Sequence, residues 1–151
     1  MARFMFSNFH PAPITLDRIE YATAEAAYQA LKTDDRGWRL QVAACASPGA
    51  AKRVGRKVPM TPGFDRLAAM ERVLRTKFAP GTDWAATLVD SGAEELIEWN
   101  TWHDRFWGRC TCHRCAGFGE NHLGRLLMRL RAELVEQAAA ARLVGSPGSG
   151  T

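Results

Sequence analysis

A chain of 151 residues that is 46% hydrophobic is long enough for one domain with a real core and needs no second one. Its formal charge of +4 and pI of about 9.1 favour anionic partners such as phosphates, nucleotides or nucleic acid, although so modest an excess also serves solubility alone. No apolar run approaches the roughly 18 residues of a membrane span, and MARFMFSNFHPAP holds none of the length that a signal peptide is expected to have. A cytoplasmic protein with no membrane role is expected, its four cysteines reduced, metal-bound or incidental rather than disulfide-paired.

Arg3 to Phe6 and Ile14 to Tyr21 read as strand segments: RFMF is short and apolar, while Ile14, Leu16, Ile19 and Tyr21 alternate with polar residues. The prolines of the intervening SNFHPAP forbid regular structure, so Ser7, Asn8 and His10 fall on a loop leading to the first helix. That helix is Thr23 to Lys32, with Thr23 as its cap. On it Glu25, Gln29 and Lys32 stand four and three residues apart, so a carboxylate, an amide and an amine share one face. As a solvated row they would contribute only about 0.2–0.5 kcal/mol per pair.

A second helix is expected over Asp34 to Cys45, burying Trp38, Leu40 to Val42 and Cys45. Ser47-Pro48 opens a third, which carries Lys52, Arg53, Arg56 and Lys57, the densest basic run. Such a run is a solvated face or a phosphate contact. Lysines occur only at 32, 52, 57 and 77 in a chain otherwise rich in Arg, which suits positions where an amine rather than any cation is wanted. Thr61-Pro62 starts the next helix in the same manner, with Phe64, Leu67, Met70, Leu74 and Phe78 as its core stripe. Pro80-Gly81 ends it, Thr82 or Asp83 caps a short helix to Ser91-Gly92, and Glu94 to Trp99 reads as a strand. The last helix runs from Asn121 or His122 to about Ala141 with Leu123, Leu126, Leu127, Leu130 and Leu134 on one stripe. The domain is expected over 1–143, with a disordered Gly/Ser/Pro-rich tail over 144–151.

The second polar cluster, EWNTWHDRFWG, sets Glu98, His103 and Asp104 among Trp99, Trp102, Phe106 and Trp107. Aromatics in such number suit a core, but around Asp104 they also suit a flat base stacked on an indole beside a carboxylate with apolar walls. With this cluster, the helix row becomes a candidate site. Just beyond it, CTCHRC places Cys110, Cys112 and Cys115 at C-x-C-x2-C spacing. With His103, His113 or Cys45 as a fourth ligand they could hold structural zinc, but only half of a paired C-x2-C knuckle is present, so a reduced thiol loop with no metal is the preferred reading.

In order along the chain, SNFHPAPI, YATAEAAYQALK, Ala50-Ala51-Lys52, MERVLRTKF, the IEW to DRFWG segment and GENHLGRLLMRLR resemble the motifs of the YbiA-like or NADAR domain family: SNF, EHxxQxxK, M...L..KF, E....D..WG and GxNxLGxLLMxxR. The resemblance spans Phe4 to about Leu134. It implies a mainly α (α+β), multi-helical single domain with a small N-terminal β element, and an N-glycosidase acting on ribosyl phosphates or ADP-ribose. The substrates so implied are phosphoribosylamino-pyrimidine intermediates of riboflavin synthesis or ADP-ribosyl-guanine in DNA or RNA. Position by position it points to Asn8, Glu25, Gln29, Lys32, Lys77, Asp104, Trp107 and Asn121. Two departures stand out: Ala26 replaces the usual His after the helix Glu, and Phe64 replaces a Trp.

The chemistry agrees with the residue types. Breaking a ribosyl C–N bond passes through an oxocarbenium-like state, which a carboxylate near C1′ stabilises while an acid assists the departing base. Glu25 and Asp104 are the candidates, their division of roles left open, and Lys32 could instead form a Schiff base with the opened sugar. Lys52, Lys77 and Arg56 are candidates for phosphate, Trp107 for the base, and Asn121 for either a helix cap or a ligand contact. No cofactor and no obligate protein partner are expected. Two rival readings are a non-catalytic ADP-ribose or nucleotide-binding module and a zinc-stapled nucleic-acid-binding domain.

Overall fold

The structure, a computed structural model, describes residues 6–145. It opens with a hairpin: Pro11–Leu16 (β1) and Ile19–Thr23 (β2) pair antiparallel, Ile14 facing Tyr21 and Leu16 facing Ile19. The turn residues Asp17 and Arg18 both take positive φ, 50° and 64°, the left-handed pair that a tight two-residue hairpin uses. Asp17 also ties the tip down, reaching Arg72 at 2.6 Å and Arg39 at 2.8 Å. Pro11 and Pro13, expected to break regular structure, lie inside β1 at exposed positions. A two-stranded sheet has only edge strands, and on an edge a missing N–H need not cost a ladder bond. The expected strand at Arg3 to Phe6 falls mostly outside the described residues, and Phe6 itself sits in a turn with its side chain buried.

Thr23 ends β2 and caps the next helix, Ala24–Ala30 (α1), its Oγ1 accepting the Ala26 N–H. All of α1 is buried, Glu25 and Gln29 included, because β1, β2, Arg36–Ala43 (α2), Pro48–Gly55 (α3) and Arg66–Lys77 (α4) all pack around it. Asp83–Asp90 (α5) and His122–Val144 (α6) complete six helices among the described residues. The core between them includes Ile14, Tyr21, Val42, Met70, Val73, Leu74, Phe78 and Leu88, each at most 2% exposed; a side chain so buried contributes about 1.5–3 kcal/mol.

Several boundaries differ from those expected. Helix α4 starts at Arg66 behind Asp65, whose Oδ1 accepts the N–H groups of Leu67 and Ala68. Thr61 serves another purpose: its N–H donates to the Lys32 carbonyl (2.8 Å) and its Oγ1 accepts the Asp34 N–H (3.0 Å), fixing the chain as it leaves α1. Phe64 therefore precedes the helix and Leu67 is exposed. On α2, Val42 is buried but Leu40 points to solvent. Residues 94–98 form no strand; only Trp99–Asn100 (β3) pairs, in parallel, with Arg109–Cys110 (β4).

Helix α6 buries Leu123, Leu127, Leu130 and Leu134, half-buries Leu126, and continues past Ala141 to Val144. Every residue from Val135 to Gly145 is exposed. Val144 thus belongs to the helix rather than to the expected tail, of which 146–151 lie outside the described residues. No helix among the described residues is long and apolar enough to cross a membrane.

Candidate active site

A cavity of about 480 Å³ opens along the polar face of α1, within the size range of small-ligand sites. The N-terminal loop contributes Ser7, Asn8 and Phe9; α1 and its end contribute Glu25, Tyr28, Gln29 and Lys32; α3 gives Lys52 and α4 gives Met70. Glu98, Trp102, Asp104 and Trp107 close the opposite wall with Leu123. Of the residues singled out from the sequence, the cavity brings together Asn8, Glu25, Gln29, Lys32, Lys52, Asp104 and Trp107.

The helical spacing of four lets Gln29 Nε2 donate to Glu25 Oε1 at 2.7 Å. The Glu25 N–H donates to the Asn8 carbonyl at 2.9 Å, joining loop to helix. Asn8 Nδ2 makes only a weak contact to Met70 Sδ, 3.4 Å. Asn8 Oδ1 and Gln29 Oε1 are buried and have no hydrogen-bond partner among the described residues. Gly55 of α3 must be glycine, because a Cβ there would run into the Gln29 side chain. Burial lowers the Lys32 pKa, with Lys52 and Arg56 adding repulsion and Glu25 partly opposing them. Burial, with repulsion from Glu25, pushes the Tyr28 hydroxyl up to about 12.

Asp104 is locked in place by its own loop. Its Oδ1 accepts the N–H groups of Phe106 (3.1 Å) and Trp107 (2.8 Å), while its backbone exchanges hydrogen bonds with the buried Asn100 side chain. Trp107 meets Tyr28 edge-on at 5.5 Å. Trp102 and Phe9 are exposed at the rim, and Lys52 lies 5.8 Å over the Phe9 ring.

Glu98, which the sequence placed in the same acid-and-aromatic segment as Asp104 but gave no role, is also a wall residue. Its position depends on remote residues. Asn121 Oδ1 accepts the Glu98 N–H (3.0 Å), Asn121 Nδ2 donates to the Leu96 carbonyl (2.9 Å), and the Arg109 N–H donates to the Glu98 carbonyl (2.8 Å). A side chain at Gly108 would strike the Glu98 carbonyl, and one at Gly124 the Leu96 carbonyl. Burial raises the Glu98 pKa, and repulsion from Asp104 and Glu25 raises it further, against the pull of Lys77.

Asn121 and Lys77 do not line the cavity; they stand behind it. Asn121 sits at the N-terminus of α6 with φ 54° and makes no capping bond, so its side chain is a brace for 96–98 rather than the cap or ligand contact expected. Lys77 is 2% exposed and donates to the Ser7 carbonyl at 3.1 Å. Burial lowers its pKa to about 8, against the attraction of Glu98. Arg53, Arg56 and Lys57 are exposed on or just beyond α3. Of the two departures from the family pattern, Ala26 is packed in the core and Phe64 lies against Tyr28; neither is on the cavity wall. Beside the site, His103 joins Cys110, Cys112 and Cys115 in one cluster.

A model of the NADAR domain matches residues 1–135. N-glycosidase YbiA of Escherichia coli (strain K12) is 34% identical over 133 residues, which cover 85% of this chain and 80% of that protein. A riboflavin biosynthesis protein of Vibrio vulnificus (strain YJ016) is 34% identical over 136 residues, 87% of this chain and 36% of the longer protein. The NMR structure of Escherichia coli YbiA matches with a TM-score of 0.73 at 32% identity, covering 97% of this chain and 84% of that one. In sequence and in its α+β fold, the chain belongs to the NADAR domain family.

Proposed function

We propose that this cavity hydrolyses the N-glycosidic bond between a base nitrogen and C1′ of a ribosyl phosphate or ADP-ribosyl group. The observation that carries this reading is the gathering of three carboxylates, Glu25, Glu98 and Asp104, with the amine of Lys32 around one cavity. As the C–N bond breaks, its electron pair leaves with the nitrogen, which takes a proton, and C1′ gains positive charge that a facing carboxylate stabilises. Glu98 suits the acid, since its surroundings hold its proton to higher pH than an ordinary glutamate. Glu25 and Asp104 then remain for the sugar and the incoming water. The group that captures C1′ is either that water or the Lys32 amine, whose lowered pKa favours the neutral nucleophile. In the second case water hydrolyses the imine afterwards, and the products are the same.

Lys52 at the rim suits a phosphate, and the faces of Trp102, Trp107 and Phe9 suit a base. The names of the relatives, N-glycosidase and riboflavin biosynthesis protein, support the reaction class. Both a free phosphoribosylamino-pyrimidine and an ADP-ribosyl-guanine in nucleic acid meet these requirements. The test is base release, followed by chromatography and mass spectrometry, with both substrates offered separately. Turnover of either, lost in Glu25→Gln and in Lys32→Ala, establishes the reaction and chooses the substrate. No turnover of either, with ADP-ribose still bound, makes the cavity a binding module instead.

A further inference from the structure

The strongest feature outside the cavity is the cluster beneath its rim. The ligand atoms of His103, Cys110, Cys112 and Cys115 all lie within 4.8 Å of one another. His103 Nδ1 is 3.3 Å from Cys112 Sγ and 3.5 Å from Cys115 Sγ. A tetrahedral zinc with Zn–S bonds of about 2.3 Å and a Zn–N bond of about 2.0–2.1 Å has N···S edges of roughly 3.5 Å and S···S edges of roughly 3.8 Å. The four side chains therefore stand within about 1 Å of a zinc coordination shell by that comparison.

The backbone is shaped to present them. The Cys115 and Ala116 N–H groups donate to the Cys112 carbonyl and the Gly117 N–H to the Cys110 carbonyl, making a tight turn of C-x2-C type. Ala116 and Gly117 carry it round at φ 50° and 86°. His103 is also left-handed, at φ 66°, an uncommon state for a residue with a side chain, one that persists where the surroundings over-determine it. Cys110 is fully buried and Cys115 is 7% exposed, with all three sulfurs free of disulfide bonds. Three thiols converging on one imidazole nitrogen make a poor apolar core and a good soft-metal ligand set.

We propose that His103, Cys110, Cys112 and Cys115 bind one structural zinc(II) ion. Binding releases the thiol protons to solvent and leaves three thiolates and one neutral imidazole on the metal. A closed Cys₃His set keeps no position open for water, so the ion holds structure and does no chemistry. What it holds is the cavity wall: His103 lies between Trp102 and Asp104, both wall residues, and the Thr111 N–H donates to the Asn100 carbonyl across the same loop. Neither His113 nor Cys45 belongs to the cluster.

The test uses the full chain, purified under reducing conditions without chelator or a histidine tag. Elemental analysis is expected to find one zinc per chain, and cobalt(II) added to the chelator-stripped protein is expected to give the thiolate charge-transfer and tetrahedral d–d absorption of a sulfur-rich site. Cys112→Ser loses both signals and Cys45→Ser keeps them. Stripping the metal lowers the melting temperature of the wild type. Substoichiometric zinc together with only the pale octahedral cobalt spectrum overturns the proposal, as does a copper content that replaces zinc or a disulfide within CTCHRC. All of these readouts are independent of glycosidase activity, so the metal site and the enzymatic reading stand or fall separately.

Discussion

Glu98 is held in a cavity with two other carboxylates, and its raised pKa follows from burial first and from Asp104 and Glu25 second. A group that acts by giving up a proton works only while it still has it. Activity is therefore expected to fall as pH rises through the Glu98 pKa. Glu98→Gln should lower kcat/KM by about 10²–10⁴ and remove this alkaline limb; a variant that keeps the limb takes Glu98 out of the acid role. For Lys32, the lowered pKa predicts a nucleophile. Substrate plus cyanoborohydride should leave a glycosyl mass on the wild type and none on Lys32→Arg. Full turnover with an unmodified wild type assigns the attack to water.

At the scale of elements, the wall segment 96–98 has no regular structure of its own and takes its shape from the N-terminus of α6. Asn121→Ala removes both of its braces to Leu96 and Glu98 and leaves buried backbone groups unpaired, at a cost of about 1–3 kcal/mol. The expected result in thermal melts and kinetics is a lower melting temperature with a fall in kcat that exceeds any rise in KM, because Glu98 is misplaced while the rest of the wall remains. An effect confined to stability would leave Asn121 without a part in catalysis. The same elements show what a sequence discloses. Glu25, Gln29 and Lys32 were legible because helical spacing is local and brings them together without help. Asn121 was not: its partners lie more than twenty residues upstream, and no periodicity announces them. Thr61-Pro62 looked like a helix start, yet Asp65, four residues after Thr61, is the cap; a cap signal names a residue type that several neighbours can satisfy. Pro11 and Pro13 looked like breakers because pairing on one side only is a property of the sheet, not of the residues.

For the molecule as a whole, Lys77 couples stability to pH. Its pKa is about 8 in the fold against an ordinary 10.5, so between those values the unfolded chain binds more protons than the folded one. Stability from this group is expected to rise with pH across that window and to be penalised below it, by on the order of 3 kcal/mol in full. Denaturant melts at pH 8 and pH 10 should show this rise in the wild type and a flatter response in Lys77→Met; equal slopes would mean that the amine is solvated. At this scale the multi-helical domain was legible from apolar spacing, and the alternation of Ile14, Leu16, Ile19 and Tyr21 marked strand, but the turn at Asp17 and Arg18 that folds this stretch into a hairpin was not read. The place of Glu98 on the wall was not legible, and the sequence left the choice among His103, His113 and Cys45 beside the three cysteines open, since both are set by long-range loop closure.

Helix α6 outruns the body that it packs on. From Val135 onward its side chains touch solvent on every face, a projecting rod of roughly 15 Å at about 1.5 Å per residue. Its amides are protected only by the helix's own hydrogen bonds, so deuterium should enter these last turns orders of magnitude faster than the Leu123 to Leu134 stretch, in a gradient that rises away from the body. The projection is accordingly the place to attach a dye or a surface tether, where the load is carried by a part that the rest of the molecule does not lean on.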